Sequence, residues 1–592
     1  MKTILGVATR VLLMLLAALV AVFIADSNLV AGAVWMTSCI LLAMGPANNW
    51  RHADGLSLGA LLGAAMAVGG ALLALVFDWE AAVVGGIGVI ALGLSLWCMR
   101  KVPECAPSRF LWVLRINRWL WKGAGVVLAV WLVTLIVVNR FDDDLLPEVQ
   151  ALLDRKVAQG AVEKNGYFIM LGFSAPAGKD AHDWGVRWHQ EASVESSRYH
   201  DTLSPGGKLA ISKEQAPTKL TGRTGVCEKR DDSDKSKTKI RELKDLDCFK
   251  AALADPAAAV ALVADNAERL ERLETLMRAA EYREVALAQA TVGAPIPPFS
   301  GRQLAHQVAT VHIAALAATG RHTEALEWMD RLAALYRRQL ENSVTLIHAM
   351  LARANLSGTY RLLGAYQKQF PDQARQRADV VQSILATSPT TAHSLRGTLE
   401  YESEAMARFI QRAGALRINP LSDFGAEASW NHWLGSSIAH LGFRPDASIN
   451  LYHQRVVAPW LAAEALRDDA YREALSLANE QIQAQKREVA EQGIWRYTGL
   501  HNPTGLALVD IGAANYGEYL RGRDDTLALR AAVAFQAELL RKNVTDSEAI
   551  TAALGQAALR HPFSGKVASW DGTRRKLNLD PGRDGRPLTL PL

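Results

Sequence analysis

Five apolar stretches in the first part of the chain constrain its fold more than any other feature of the sequence. They cover residues 11–25, 29–44, 58–77, 81–99 and 123–138. Each is near the ~17 to 25 residues that a helix needs to cross a bilayer. The sequence therefore predicts a bundle of about five transmembrane helices over residues 1–140, in which Gly59 and Gly63 form a GxxxG step for close helix packing.

The basic residues beside these stretches predict how the bundle is oriented, because Lys and Arg are retained on the cytoplasmic side. On one predicted side lie Lys2, Arg10, Arg51, Arg100, Lys101, Arg109, Arg115, Arg118 and Lys122. The links at 26–28 and 78–80, on the other side, contain no basic residue. We expect a bacterial inner-membrane protein with a cytoplasmic amino terminus and a periplasmic region after residue 140. A cleaved signal peptide is the alternative for the first stretch.

The charge distribution excludes two classes of function. No apolar stretch carries an acid or a base near its middle, whereas ion-coupled transporters place ionisable groups there. The net charge of +5 comes from the basic residues beside the stretches, and the remainder is slightly acidic. We therefore predict an anchor in contact with the lipid bilayer and no nucleic-acid partner.

The two cysteines that follow the apolar stretches predict a disulfide. Cys227 and Cys248 would close a 22-residue segment, which in the loop-entropy model stabilises the fold by about 3 kcal/mol. Two free or buried thiols are the alternative. Zinc is disfavoured because the segment has neither a histidine nor a CxxC pair. We assign residues 141–250 to a membrane-proximal α+β segment, with a strand over 167–171 and a charged, solvated loop over 206–250.

Most of the remaining chain has the three- and four-residue apolar spacing of amphipathic helices. The predicted helices are 266–290, 302–319, 322–338, 343–363, 372–386, 394–413, 460–477 and 526–541. We therefore predict an all-α fold, with a large, irregular helical-repeat domain over 251–560. Residues 561–592 follow as a β-hairpin that turns at Asp571 and Gly572, with an extended tail.

One segment of this domain resembles a known repeat. Residues 320–326 read Gly-Arg-His-Thr-Glu-Ala-Leu, similar to the turn and second-helix start of a tetratricopeptide repeat, and 281–285 and 470–474 echo it at irregular spacing. The resemblance implies stacked helix pairs that contact other proteins. Residues 444–450 and 502–505 look similar to pieces of uncharacterised proteobacterial inner-membrane proteins with periplasmic helical domains, a resemblance that implies no known activity.

Aromatic residues, histidine and asparagine concentrate at three breaks in the helical pattern. We predict that they line a groove for a ligand or a partner. An aromatic core beneath long loops is the alternative. The candidate residues are Trp430, Trp433, His453, Trp495, Tyr497 and His501.

The sequence contains no catalytic motif that we can assign. HExxH, the P-loop and a GxSxG in a strand-to-helix setting are missing from it, and His182 and His189 would lie about 10 Å apart along a helix, too far for one metal. We expect no cofactor, no metal and no enzymatic activity. The predicted function is a membrane-anchored periplasmic scaffold that binds an envelope protein partner during assembly or secretion. The alternatives are a periplasmic enzyme acting on envelope substrates and a ligand-sensing or transport-linked subunit.

Overall fold

The computed structural model describes part of the chain. The described residues are 130, 133–155, 163–203, 209–215, 228–231, 239–242, 245–287, 292–387, 394–416, 441–492, 496, 497, 499, 501–512, 515–581 and 587–591. The chain forms two compact units. The first comprises Met1–Phe141, Phe424–Phe443 and Gly499–Thr504, and the second Asp142–Asp423, Arg444–Thr498 and Gly505–Leu592.

The structure corrects the prediction of a transmembrane bundle. Among the described residues, no helix has both the length and the apolar character that a membrane crossing requires. The four stretches over 11–99 lie outside the described residues, and the fifth is described as helix only at 130 and 133–138. Apolar stretches alone suggested the spans, whereas a span must also be a continuous helix of about 20 residues. The membrane part of the fold class is therefore wrong for the described chain, and so is the inner-membrane location with a cytoplasmic amino terminus and a periplasmic domain.

The first unit is described over a few short segments that contact one another. Leu135 is buried, and the side-chain oxygen of Asn139 accepts a hydrogen bond from the backbone N–H of Asn502 at 2.7 Å. The backbone N–H of Thr504 donates to the carbonyl of Gly442 at 3.3 Å. A side chain at Gly442 would meet the Pro503 ring at 2.8 Å, so glycine permits this close approach.

The described chain is mostly helical. In chain order the helices are α1 Pro147–Asp154, α2 Gly166–Leu171, α3 Ala181–Thr202, α4 Asp245–Ala254, α5 Pro256–Asp265, α6 Ala267–Arg278, α7 Phe299–Ala318, α8 His322–Glu341, α9 Leu346–Gln369, α10 Pro371–Gln376, α11 Ala378–Ile384, α12 Arg396–Leu416, α13 Pro445–Tyr452, α14 Ala458–Glu464, α15 Asp468–Gln492, α16 Pro503–Ile511, α17 Tyr516–Arg541 and α18 Ser547–Ala557. The strands are β1 Glu228–Asp231, β2 Lys239–Glu242, β3 Ser569–Asp571, β4 Lys576–Pro581 and β5 Pro587–Pro591.

Helices α7, α8 and α9 form the centre of the second unit. Helix α7 packs on α4, α5 and α8, while α9 packs on α8 and α17, so α7 is buried on nearly every side. The α7–α8 turn depends on Gly320, which has φ +78°, and Arg321 N–H reaches back to the Leu316 carbonyl at 2.8 Å. Only glycine adopts this conformation without strain. The segment that resembles a tetratricopeptide repeat thus forms a helical hairpin, and membership of that family stays a prediction.

The strand predicted over 167–171 is instead helix α2. Asn165 caps it, since its side chain accepts a hydrogen bond from Tyr167 N–H at 3.0 Å, and every residue of α2 is buried. Helix α3 lies against α2 at Gly185, where a Cβ would stand 1.8 Å from the Phe168 carbonyl oxygen. A helix enclosed on all sides has the same unbroken apolar run as a buried strand, so periodicity cannot separate the two.

The helix predicted over 266–290 ends early, at Arg278. Arg338 holds this end by donating to the carbonyls of Met277 and Ala279 at 2.9 and 2.7 Å. The chain then runs extended, and Glu281 forms a parallel bridge with Asn165. Residues 281–285, which resemble the start of a repeat helix in sequence, therefore lie in an extended segment between α6 and α7.

Two antiparallel sheets stand beside the helices. Strands β1 and β2 pair from Glu228 with Glu242 to Asp231 with Lys239, inside the segment predicted to be a solvated loop. Strands β3, β4 and β5 form a three-stranded sheet in that order. The predicted hairpin is therefore present, but Asp571 pairs with Lys576, so the turn is longer than two residues, and β5 replaces part of the extended tail.

One interruption in the helices sets the direction of the elements that follow. A π-helical turn, His453–Val457, lies between α13 and α14. Such a turn inserts one extra residue into an otherwise α-helical path. Beyond it, Trp460 and Glu464 are both buried.

Candidate functional site

The six residues predicted to line a groove are only partly described. Trp430, Trp433 and Trp495 lie outside the described residues. His453 is buried, and burial lowers its pKa. The Tyr497 hydroxyl donates to an Asp510 carboxylate oxygen at 3.3 Å. His501 is exposed and belongs to the first compact unit, whereas Tyr497 belongs to the second. The predicted aromatic groove therefore stays a prediction.

The other predicted sites have a similar status. Cys248 is fully buried and disulfide-bonded, and Cys227 lies outside the described residues, so their pairing stays a prediction. Gly59 and Gly63 also lie outside them. His182 and His189 both pack edge-on against Phe168, with ring centroids 5.7 and 5.5 Å away.

The second unit contains a groove between four of its helices. Its volume is about 250 Å³, and it opens between α9, α10, α11 and α17, which we call the alanine groove. Its lining residues are Gln367, Ala374, Arg375, Ala378, Val381, Gln382, Leu385, Ala534, Ala537, Glu538, Leu540 and Arg541. Alanines on α10, α11 and α17 keep it open, since larger side chains at those positions would fill it.

Charged residues form the rim of the alanine groove. Arg375 donates to the Leu540 carbonyl at 3.1 Å and to Asn543 at 3.3 Å. Glu538 accepts from Arg541 at 2.7 and 2.9 Å, and hydrogen bonds from Arg541 and Lys542 lower the pKa of Glu538 to about 2. The carboxylate is therefore ionised at neutral pH, and the lining residues carry two positive charges against one negative charge.

The floor of the alanine groove contains a buried amide. Gln367 is fully buried, and neither its side-chain oxygen nor its nitrogen has a hydrogen-bond partner. Beside it, Gln536 donates to the Gly364 carbonyl at 3.1 Å, and a Cβ on Gly364 would lie 2.7 Å from Leu590 of β5. Strand β5 thus supports the groove from behind, and Gln367 offers a donor and an acceptor that no described residue uses.

A cluster of charged residues lies deeper in the same unit. We call it the Arg523 centre, and it comprises Arg353, Glu464, Tyr471, Arg523 and Asp524. Arg523 pairs with Glu464 and, at 2.8 Å, with Asp524, and Tyr471 donates to Asp524 at 2.7 Å. Burial and the neighbouring Arg523 lower the pKa of Arg353 to about 10. Because these groups neutralise one another, the cluster has the character of a structural network.

No group of three or more His, Cys, Asp or Glu side chains among the described residues could hold a metal ion. Of the acids of the Arg523 centre, Glu464 also accepts a hydrogen bond from the backbone N–H of Leu395 at 2.7 Å. The alanine groove is the concave surface that we consider for a partner.

Sequence reasoning did not find the alanine groove. The predicted helices 372–386 and 526–541 contain its walls, but the lining alanines have no distinctive chemistry. A signal of this kind was the spacing of Ala534 and Ala537, which places two small residues on one face of α17.

Comparison of the chain with protein family models, with curated proteins and with solved structures finds no match.

Proposed function

We propose that this chain is a helical protein that mediates protein–protein contacts, and that the alanine groove receives an amphipathic helix of the partner. The observation that carries the proposal is the groove itself, which lies between helices, is lined mostly by alanine and other apolar side chains, and has a charged rim. Protein interfaces have this anatomy of an apolar centre and a polar edge. Helix-in-groove recognition uses apolar side chains one turn apart.

The size of the groove favours protein side chains over a metabolite. Pockets for drug-sized ligands measure ~300 to 1,000 Å³, and this groove is smaller, about 250 Å³. A row of two or three apolar side chains from a helix needs less enclosed space than a cofactor, because the rest of the helix stays outside. The groove therefore suits a partner segment better than a complete small molecule.

The rim gives the expected charge of that segment. Arg375 and Arg541 line the groove against one carboxylate, Glu538, so the local charge is positive. Acidic residues beside the apolar row of the partner would complement it. We propose an amphipathic helix with acidic flanks as the occupant.

Binding of designed helices tests the proposal. Two synthetic helices share an apolar row at one-turn spacing and carry either glutamates or lysines beside it. We expect the acidic helix to bind the full chain at least tenfold more tightly than the basic one in fluorescence anisotropy. Ala537→Arg should weaken this binding at least tenfold, because the new side chain fills the groove. Ala552→Arg, on the exposed face of α18, is the matched control and should bind normally.

Three results would overturn the proposal. They are no binding of either helix, equal binding of both, and unchanged binding by a folded Ala537→Arg variant, with folding checked by circular dichroism. Analytical ultracentrifugation of the chain alone tests whether a second copy of the chain occupies the groove. Dimerisation that Ala537→Arg abolishes would assign the groove to a second copy of the chain and also contradict the proposal.

A further inference from the structure

Arg302 is a buried cation without a contact that satisfies it. It lies in the first turn of α7 and is 3% exposed, and among the described residues none of its three side-chain nitrogens has a hydrogen-bond partner. Its guanidinium carbon stands 5.7 Å from the centre of the Tyr336 ring. Burying an ion is costly unless a counter-charge and hydrogen bonds offset the cost. A nearby aromatic ring alone offsets only part of it.

The neighbouring acid is engaged elsewhere. Glu284 accepts hydrogen bonds from the backbone N–H groups of Val344 and Thr345 at 2.5 and 3.0 Å, and from the Thr345 hydroxyl at 2.6 Å. It forms no hydrogen bond or ion pair with Arg302 among the described contacts. Glu284 therefore holds the start of α9 and leaves the guanidinium donors unused.

Other groups near Arg302 also present donors. The Tyr282 hydroxyl and His348 Nε2 are 2.7 Å apart, and their rings stack at 5.7 Å. Burial and the charge of Arg302 lower the pKa of His348 well below its usual value, so the imidazole is neutral. We assign the Tyr282 proton to the hydrogen bond with Nε2, which places the imidazole hydrogen on Nδ1, a buried atom without a partner. Gln339 lies beside Tyr282.

The backbone adds positive potential from two directions. Arg302 and His348 lie in the first turns of α7 and α9, where the helix dipole is positive. No side chain caps α7. Gly301 brings this helix end close to the turn that follows α2, since a Cβ there would meet the Phe173 carbonyl at 2.8 Å.

We propose that Arg302, His348 and Gln339, with Tyr282, form an enclosed site for one small oxyanion, either a carboxylate or an inorganic phosphate or sulfate. We call it the Arg302 centre. The guanidinium presents its donors in a planar fork that matches two oxygens of such an anion, and Nδ1 of His348 presents another. A water molecule would satisfy hydrogen bonds but not the charge of Arg302, and a cation would be repelled by that charge.

Equilibrium dialysis of the full chain tests this site. The probes are [14C]acetate and [32P]phosphate, each at constant ionic strength in chloride buffer, with incubation long enough for the enclosed site to open and exchange. We expect the wild-type chain to bind one equivalent of one probe and its melting temperature to rise by several degrees with that anion. Which probe binds separates the carboxylate from the inorganic anion.

Variants connect binding to the residue. Arg302→Met should bind neither probe and should melt at the same temperature with and without the anion. Arg302→Lys keeps the charge but lacks the fork, and should bind at least tenfold more weakly. Arg321→Met removes an exposed guanidinium at the start of α8 and is the control for net charge, with binding unchanged.

Two outcomes would overturn the inference. One is no saturable binding of either probe by the wild-type chain. The other is wild-type binding by Arg302→Met or, where that variant does not fold, by Arg302→Lys. Neither outcome bears on the alanine groove, so this site and the proposed function can fail separately.

Discussion

The Arg302 centre and the Arg523 centre bury the same kind of charge in opposite ways. Arg523 has Glu464, Asp524 and the Tyr471 hydroxyl within hydrogen-bond distance. Arg302 has an aromatic ring and two helix ends instead. In the first centre Arg523 has two acids in contact, whereas among the described contacts Arg302 has none. Burial of a charge therefore does not identify a binding site, but burial without a partner does indicate one.

The two centres differ because their acidic residues lie on different kinds of element. Asp524 is the next residue to Arg523 on α17, and Glu464 arrives from the end of α14. Near Arg302, the acid comes from the extended segment after α6 and is needed at the start of α9. The same residue types thus give a closed network in one place and unused donors in the other.

Removing an acid from the Arg523 centre should make it resemble the Arg302 centre. Glu464→Leu leaves Arg523 with one carboxylate fewer and Leu395 N–H without its acceptor. Breaking a buried pair in this way costs about 3 to 5 kcal/mol. We expect urea unfolding monitored by circular dichroism to show a loss of this size. A loss below about 1 kcal/mol would mean that the network contributes little to the fold.

The pH dependence of stability should test the acid nearest to the Arg302 centre, Glu284. Burial raises the pKa of Glu284 from 4.5 to about 7. Between these values the folded chain holds a proton that the unfolded chain releases, so the free energy of unfolding falls as the pH rises from 4.5 to 7, by about 2 to 4 kcal/mol. Above pH 7 this residue contributes no further change.

Glu284→Gln isolates that contribution. Burial also raises the pKa of Glu402 and lowers that of His348, so the wild-type profile combines several groups. The difference between wild type and Glu284→Gln in the free energy of unfolding should therefore decline across pH 4.5 to 7 and stay constant above it. A difference that is flat across the window would contradict the raised pKa.

We expect the smallest change in stability when an exposed ion pair is removed, and this change is the reference value for the two buried centres. Glu538 pairs with Arg541 and Lys542 at the rim of the alanine groove. Pairs in water contribute little to stability because solvent screens them. We expect Glu538→Ala to leave the midpoint of urea unfolding nearly unchanged. A large shift would show that the rim supports the packing of α17.

The sequence predicted the long amphipathic helices best. The predicted helices 302–319 and 322–338 correspond closely to α7 and α8, since both have several turns of regular apolar spacing and a glycine turn between them. Local signals of this kind act within one element and need no knowledge of its neighbours. The helical character of the described chain was therefore predictable.

The errors arose where tertiary packing decides. Residues 167–171 form a helix because α3 encloses them, and 281–285 are extended because Glu281 forms a bridge with Asn165. The third strand, β5, forms because it pairs with β4 and packs on α9 and α17. None of these contacts is visible in the local pattern of the sequence.

The candidate sites were harder to predict than the fold. The sequence directed attention to tryptophans and histidines, whereas the alanine groove is defined by small side chains that leave space. The Arg302 centre depends on three residues from three helices and one from an extended segment. Arginine and histidine occur throughout the chain, and only the structure shows which of them are buried without partners.

The geometry of the Arg523 centre depends on the one extra residue in the π-helical turn at His453–Val457. Successive residues of a helix differ by about 100° around its axis. One residue fewer in this turn would restore an ordinary helix and rotate all of α14 by that angle. Trp460 would then leave the core, and the Glu464 carboxylate would face away from Arg523. The five-residue length of the π-helical turn thus determines the direction in which Glu464 points, and so whether it can pair with Arg523.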